Sequence, residues 1–172
     1  MEDLLDLARV PKYVYQSTHL KPLLEQALDA TDAQLQAGHI QCRFEIADDM
    51  PLVRADANQL ARAIHNLIRN AIQAMPQGGK LDIKASFHRG NPTQAELEAA
   101  GADRVIAVFE DTGPGISAAE IENIFNPFFT TKDKGTGLGL AITHKVITEH
   151  GGQIEVESAP GEGSRFVVYL PV

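Results

Sequence analysis

The chain has 172 residues, of which 44% are hydrophobic, and this is enough apolar material for the core of one ordinary domain. Its 15 Lys and Arg residues stand against 23 Asp and Glu residues, which gives a formal net charge of −8. Because no basic stripe is present, we expect neither nucleic acid nor a membrane surface as a partner. The single cysteine, Cys42, rules out an internal disulfide, and no apolar run is long enough to cross a bilayer, so a cytoplasmic location is expected.

The first third of the chain predicts two helices and two extended segments. Apolar residues between 2 and about 15 indicate a helix that begins without a good cap, as the tail of a longer helix would. A second helix is predicted over residues 21–37, and Gly38 ends it. Alternation over residues 40–46 predicts a half-buried strand, and residues 52–53 predict a brief extended stretch.

The middle of the chain predicts one strongly amphipathic helix between strands. Asp56 stands at the N-cap position of a helix over residues 57–75, whose apolar side chains recur at helical spacing. Strands are predicted over residues 80–89 and 105–109. The polar segment between them, residues 91–103, predicts a surface hairpin insertion.

The last third predicts, in chain order, a short helix, a glycine-containing loop, a helix and two strands: residues 117–125, 126–137, 138–150, 153–158 and 165–170. His150 is predicted to act as a cation at the end of its helix. Strands in two groups, with helices between them, predict an α+β two-layer sandwich. In this fold one mixed β-sheet has its helices packed on one face.

Three amide side chains share one face of the helix over residues 57–75. Asn66 and Asn70 are four residues apart, and Gln73 continues the row three residues further on. The amide oxygen of Asn70 is a neutral, hard donor of the kind that Mg²⁺ prefers. A solvated helix surface is the alternative interpretation of this spacing.

An aspartate followed by two glycines closes the strand over residues 105–109. The carboxylate of Asp111 can accept a hydrogen bond from an exocyclic amine, beside a backbone that Gly113 and Gly115 allow to pass close to a ligand. A tight turn capped by aspartate is the alternative, but it requires neither the second glycine nor Ile116.

Three glycines alternate with other residues in segment 135–140, directly before a helix. This arrangement lets free amide donors and the positive end of a helix meet phosphate oxygens. It matches neither the P-loop nor the dinucleotide-binding fingerprint, and glycine-rich helix entries without a ligand are the alternative.

The loop before these glycines combines aromatic, hydroxyl and cationic side chains. Phe128 and Phe129 are predicted to anchor it, and Lys132 is predicted to reach a terminal phosphate. We therefore interpret the loop as a lid over a ligand. A charged surface loop is the alternative, especially for Lys134.

In chain order, these four segments resemble the N, G1, F and G2 boxes of the histidine-kinase branch of the GHKL ATPases, which have the Bergerat fold. The resembling segments are residues 66–71, 111–116, 125–132 and 135–140. The resemblance runs from about residue 52 to residue 171 and is greatest for sensor kinases of the nitrogen-regulation type. It includes the family's closing hairpin, where a hydroxyl residue at the position of Ser164 helps to hold adenine.

The resemblance implies that the chain binds ATP and Mg²⁺. Asp111 would accept from the adenine amino group, Asn70 would ligate Mg²⁺, and Asn66 and Lys132 would be catalytic. Gln73 stands where many relatives with a different lid have lysine. The complete implied ATP-binding set is Asn66, Asn70, Gln73, Asp111, Gly113, Gly115, Ile116, Thr131, Lys132, Gly135, Thr136, Gly137, Leu138, Gly139, Leu140 and Ser164.

The resemblance also implies a role in two-component signalling, as the catalytic domain of a sensor histidine kinase. Residues 1–18 would be the end of the dimerisation and phosphotransfer helix with its linker, and residues 19–172 the ATP-binding domain. The sequence has no histidine followed at once by an acid and then by a proline five residues after the histidine. The implied partners are therefore a separate phosphotransfer domain of the parent kinase and, indirectly, a response-regulator receiver domain. We expect the isolated chain to be a monomer and the parent protein a homodimer.

Two other functions stay open. A GHKL ATP hydrolase of the gyrase or mismatch-repair kind carries a glutamate base one helical turn before the metal asparagine, where this chain has Asn66. An amide does not take up a proton, so the hydrolase is disfavoured. The other alternative is a nucleotide-gated interaction module, such as a pseudokinase or an anti-sigma-type switch, against which the complete set of boxes argues.

Overall fold

The computed structural model describes residues 12–90, 103–131 and 135–172. The strands in these ranges are β1 (Gln16–Thr18), β2 (Ile40–Ile46), β3 (Val53–Ala55), β4 (Gly79–His88), β5 (Arg104–Asp111), β6 (Gln153–Ser158) and β7 (Ser164–Pro171). The helices are α1 (Leu20–Ala37), α2 (Ala57–Ala74), α3 (Ala118–Ile121) and α4 (Gly139–Glu149). None of these helices is long and apolar enough to span a bilayer.

Five strands form one mixed sheet in the order β2-β4-β5-β7-β6. The β2–β4 pair is parallel, and the other three pairs are antiparallel. Helix α2 packs between α1 and α4, and these helices contact the sheet through β2, β5 and β6. The predicted α+β two-layer sandwich is therefore confirmed.

The helices cover one face of the sheet because side chains alternate along its strands. In β5, Val105, Ala107 and Phe109 are at most 3% exposed and belong to the core, whereas Ile106 and Val108 between them are half-buried. The apolar stripe of α2 packs on the same core. Side chains of odd number in β5 therefore point towards the helix layer, and this parity continues to the end of the strand.

A second, two-stranded sheet pairs β1 with β3, and the sequence did not predict it. Three residues per strand are too few for a periodic pattern to stand out. The predicted helix over residues 2–15 is wrong for residues 12–15, which precede β1 without helical structure; residues 1–11 lie outside the described ranges. Gln16–Thr18 is instead joined by antiparallel pairing to Val53–Ala55, the strand that precedes α2.

Asp56 is confirmed as the N-cap of α2 and also fixes the segment before β1. Its Oδ1 accepts from the backbone N–H groups of Asn58 and Gln59, each at 3.1 Å, and its Oδ2 accepts from the N–H of Val14 at 2.8 Å. Burial raises the pKa of the Asp56 carboxyl, but these three donors together hold the pKa below its usual value.

His150 is part of the core, so the prediction of a cation at the end of α4 is wrong. Its Nε2 accepts from the backbone N–H of Asp56 at 2.9 Å, and its Nδ1 lies 2.6 Å from the carbonyl oxygen of Val146. One nitrogen accepts and the other donates, which requires the neutral imidazole. The rings of Tyr13 and Tyr15 contact the imidazole edge-on.

Helix α3 is shorter than the predicted helix over residues 117–125. Ser117 and Glu120 form a capping box at its start. After Ile121 the chain continues in turns, because Asn123 and Asn126 donate their backbone N–H groups to carbonyls only three residues earlier. The predicted hairpin insertion over residues 91–103 lies, except for its last residue, outside the described ranges.

Candidate nucleotide-binding site

The four sequence segments meet in one cleft of about 540 Å³, which is bordered by α2, the end of β5 and the start of α4. Most of the residues predicted to bind a ligand line this cleft. They are Asn66, Asn70, Gln73, Asp111, Gly115, Ile116, Thr131, Gly135, Thr136, Gly137, Gly139, Leu140 and Ser164.

Three predicted site residues are not among the described lining residues. Gly113 donates its backbone N–H to Oδ1 of Asp111 at 2.8 Å and so helps to hold that carboxylate in place. Leu138 is 4% exposed and packs in the core directly before α4. Lys132, the predicted lid cation, lies outside the described residues.

Asp111 is a buried carboxylate because of its place in β5. It has the same parity as Phe109, so its side chain faces the helix layer, and it is 4% exposed. Its register partners are Leu81 on β4 and Ser164 on β7. A carboxylate buried this deeply must be hydrogen-bonded to persist, and the N–H of Gly113 provides one such bond.

Gly163 allows the chain to bring Ser164 against Asp111. Its φ is +79°, and a Cβ at this position would collide with the carbonyl of Asp111. Only glycine combines this backbone conformation with such a close approach. The turn before β7 is therefore shaped to place a hydroxyl beside the carboxylate.

Ser158 orients that hydroxyl, and sequence analysis missed it. Its Oγ donates to the carbonyl of Gly163 at 2.6 Å and accepts from the N–H of Ile116 at 2.8 Å. Because its only proton is used in this way, the 3.2 Å contact between Ser158 Oγ and Ser164 Oγ uses the proton of Ser164. Ser164 then presents lone pairs to the cleft, as Asp111 does, and such an acceptor-rich edge suits an amino group.

At the other end of the cleft, an amide and a guanidinium connect α2 to α4. Asn66 is 9% exposed, and its Nδ2 donates to the carbonyl of Gly139 at 3.4 Å. Its Oδ1 accepts from Nη2 of Arg69, also at 3.4 Å. Arg69 lines the cleft and was not predicted, although its spacing of three residues from Asn66 was a usable signal.

The N-terminus of α4 enters the cleft through Gly139 and Leu140. The N-cap residue Leu138 makes no side-chain cap, so the first N–H groups of the helix are suited to an anionic ligand. The preceding turn is held by Gly137, whose carbonyl accepts from the N–H of Phe128 at 2.9 Å.

The two loop phenylalanines have different environments. Phe129 lines the cleft and packs against the core, as an anchor should. Phe128 is 64% exposed and has a φ of +68°, so the prediction that it anchors the loop is wrong. The adjacent turn to Gly137 holds its backbone, and its ring stays at the surface.

Glu120 is the second carboxylate in the described lining of the cleft. Its Oε2 accepts from the hydroxyl of Ser117 at 2.6 Å and from the backbone N–H of Ser117 at 2.8 Å. The hydroxyl and then the N–H lower the pKa of Glu120 below its usual value, so this carboxylate is a weak base.

Comparisons with known proteins agree with this geometry. The family described as "Histidine kinase-, DNA gyrase B-, and HSP90-like ATPase" matches residues 55–172. The sensor histidine kinase ZraS of Escherichia coli (strain K12) is 37% identical over 172 residues, which are 100% of this chain and 34% of that protein. The chain therefore spans about a third of the length of this curated relative.

Solved structures of two histidine kinases have the same fold. The catalytic domain of ThkA, without nucleotide, has a TM-score of 0.75 and 30% identity over 92% of this chain and 95% of that one. Full-length ShkA in complex with AMPPNP has a TM-score of 0.82 and 25% identity over 99% of this chain and 34% of that one. ThkA has also been solved with the response regulator protein TrrA. This chain belongs to the family of histidine kinase-, DNA gyrase B- and HSP90-like ATPases.

Proposed function

We propose that this chain is the catalytic domain of a sensor histidine kinase, which transfers the γ-phosphoryl group of Mg-ATP to a histidine on a phosphotransfer domain. The observation that carries the proposal is the cleft, which joins a buried acceptor edge at Asp111 to a glycine-rich helix N-terminus at Gly139. The former suits adenine, and the latter suits phosphates.

In this arrangement the nucleotide lies along the cleft with its adenine at Asp111 and its phosphates at the start of α4. Its adenine amino group donates to Asp111 and meets the lone pairs of Ser164, whose proton is used on Ser158. Its phosphates accept from the first N–H groups of α4 and from the glycine segment before it. Lys132 stays a predicted contact to the terminal phosphate.

The donor set fits Mg²⁺ shared with the nucleotide. The described residues contain no group of three or more His, Cys, Asp or Glu side chains that could hold a metal ion. Mg²⁺ needs few protein ligands when phosphates and waters complete its shell, and the amide oxygen of Asn70 would be such a ligand. When bound, the ion neutralises charge on the transferring phosphoryl group.

Transfer to a histidine fits this site better than hydrolysis does. Activation of water needs a base, but Asn66 is an amide, and the Glu120 carboxylate is engaged by Ser117. A neutral imidazole nitrogen attacks without losing a proton first. The site therefore has to position the nucleotide and neutralise its charge, and it needs no base of its own.

The proposed partners follow from this reaction. The phosphotransfer domain of the parent kinase would supply the acceptor histidine, and a response-regulator receiver domain would take the phosphoryl group in the next step. The full-length relatives are named sensor kinases, which supports placing this chain in two-component signalling.

Incubation with γ-labelled ATP and the separately produced phosphotransfer domain of the same kinase tests the proposal. We expect label to appear on the added domain in an acid-labile, alkali-stable form, as a phosphohistidine requires. The Asp111→Asn variant should label it much more slowly, which controls for contaminating kinases.

Two other outcomes would contradict the proposal. Rapid phosphate release by the chain alone would favour an ATP hydrolase. Tight ATP binding without labelling of the added domain, despite a folded acceptor, would favour a nucleotide-gated interaction module.

A further inference from the structure

Arg69 is the one Lys or Arg residue among the cleft-lining residues that the structure describes. The same lining contains the carboxylates Asp111 and Glu120, and the whole chain has a formal net charge of −8. The overall field of the protein therefore repels an anionic ligand, which has to be held by local donors. In this part of the cleft, Arg69 supplies the side-chain positive charge.

The guanidinium lies where α2 approaches the start of α4. Its Nη2 is 3.4 Å from Oδ1 of Asn66, whose Nδ2 contacts the carbonyl of Gly139 at 3.4 Å. A Cβ added to Gly139 would lie 3.9 Å from the same Nη2 of Arg69. The cation is thus beside the first residue of α4, at the helix end whose partial charge is positive.

Within the described ranges, Arg69 has no carboxylate partner, unlike two other arginines of this chain. Arg165 forms an ion pair with Glu157 at 2.7 Å, and Arg43 forms one with Glu45 at 2.5 Å. The bond that Arg69 makes is to the neutral amide of Asn66. A guanidinium has five N–H donors, so this contact leaves most of them for a ligand.

We propose that Arg69 is a phosphate-binding residue of this site, which holds the terminal phosphates of the nucleotide together with the first N–H groups of α4. The inference rests on the proposed function, because it needs the nucleotide in the cleft. The planar fork of a guanidinium binds two phosphate oxygens at once, and the missing side chain at Gly139 leaves room for them.

Calorimetric titrations with three ligands separate phosphate binding from a structural role. Adenosine, Mg-ADP and a non-hydrolysable Mg-ATP analogue are titrated into the wild-type chain and into Arg69→Ala and Arg69→Lys. The control is Arg62→Ala, which removes the same charge two turns earlier on α2, at a residue that does not line the described cleft. Thermal unfolding of each variant is measured alongside.

We expect Arg69→Ala to weaken binding of the ATP analogue about ten- to a hundredfold, as the loss of charge-assisted hydrogen bonds implies. Its affinity for adenosine should stay within about twofold of wild type, because the adenine end lies at the other side of the cleft. Arg69→Lys should bind the analogue with intermediate affinity, since it keeps the charge without the fork. Arg62→Ala should behave as wild type.

Different failures have different meanings. If Arg69→Ala loses adenosine and ATP-analogue affinity equally, Arg69 only supports the structure around Asn66, and the inference is overturned. The same holds if the variant binds the ATP analogue as tightly as wild type. If the wild-type chain binds none of the three ligands, the proposed function fails together with the inference.

Discussion

Asp111 and Asp56 are both buried carboxylates, and each accepts a hydrogen bond from the backbone. Their positions give them different roles. Asp56 uses its two oxygens on three N–H groups at the start of α2, so it stabilises the fold. Asp111 lies in the wall of the cleft, where its charge can also act on a ligand.

Asp111→Asn should weaken ATP binding about ten- to a hundredfold while the fold is kept. The substitution removes the charge of the acceptor for the adenine amino group, and a hydrogen bond to a charged group contributes roughly 1.5–3 kcal/mol. Calorimetry with Mg-ATP measures the affinity, and circular dichroism checks the fold. An ATP affinity equal to that of wild type would show that Asp111 does not contact the base.

Asp56→Ala should lower the free energy of unfolding at neutral pH by about 1–2 kcal/mol, since it removes the N-cap of α2. The folded-state pKa of Asp56 is lowered, so its contribution is present above its unfolded pKa of about 3.9 and is lost as the pH falls through the folded value. The difference between wild type and variant should therefore shrink below about pH 4.

Urea unfolding at several pH values measures this effect. The exposed carboxylate of Asp49 provides the control, because Asp49→Ala removes the same charge without removing a helix cap. A stability difference for Asp56→Ala that stays constant down to pH 2 would contradict the role of the ionised carboxylate.

At the scale of elements, the turn between β6 and β7 depends on glycine in two different ways. Gly161 and Gly163 have φ values of +84° and +79°. A Cβ on Gly161 would have nothing within 4 Å, whereas a Cβ on Gly163 would meet the carbonyl of Asp111. The two glycines therefore share a left-handed backbone conformation, but only Gly163 lies close to another segment of the backbone.

Gly161→Ala should cost only the strain of a left-handed alanine, on the order of 1 kcal/mol. Gly163→Ala should cost distinctly more and should also lower ATP affinity by at least about tenfold, because the collision displaces Asp111 and Ser164 relative to each other. Thermal unfolding and Mg-ATP calorimetry on both variants measure this. Equal effects of the two substitutions would mean that the close approach at Gly163 does not shape the site.

The sequence predicts well those elements whose hydrophobic pattern extends over many residues. Helix α2 has a polar cap at Asp56 and an apolar stripe over five turns, and β5 contains the continuous apolar run 105–109, so both were predicted within one or two residues of their bounds. The three-residue β1 has no such pattern. Helix α3 ends early because backbone turns, which leave little trace in the sequence, replace its last predicted turn.

For the site, composition and spacing identified most of the predicted residues that line the cleft, but not the residues that orient them. Ser158 contacts Ser164 only because β6 and β7 pair in one particular register. His150 meets the backbone of Asp56 across 94 residues of sequence, and this contact makes its Nε2 an acceptor. Both effects depend on tertiary contacts that no local pattern contains.

At the scale of the whole molecule, the cleft draws on both layers of the fold. The acceptor edge at Asp111 and Ser164 belongs to the sheet, whereas Asn66 and Asn70 belong to α2, and α4 contributes its N-terminus. The groups that would meet adenine and phosphate are thus fixed to rigid elements. None of the described lining residues is a carboxylate placed one turn before Asn70, where a base for hydrolysis would be needed.

The isolated chain should therefore bind Mg-ATP but neither hydrolyse it at a useful rate nor label itself. A positioned general base contributes roughly 10²–10⁴-fold to a reaction of this kind, and this site has Asn66 in its place. Self-labelling should be absent because the sequence contains no histidine followed by an acid and then by a proline. Release of labelled phosphate from γ-labelled ATP, measured at saturating nucleotide, should stay far below the turnover of about 1–100 s⁻¹ that is typical of kinases. The Asp111→Asn variant provides the background for contaminating enzymes. Phosphate release well above that background would show that the chain activates water itself, and histidine transfer would then no longer explain the amide at Asn66.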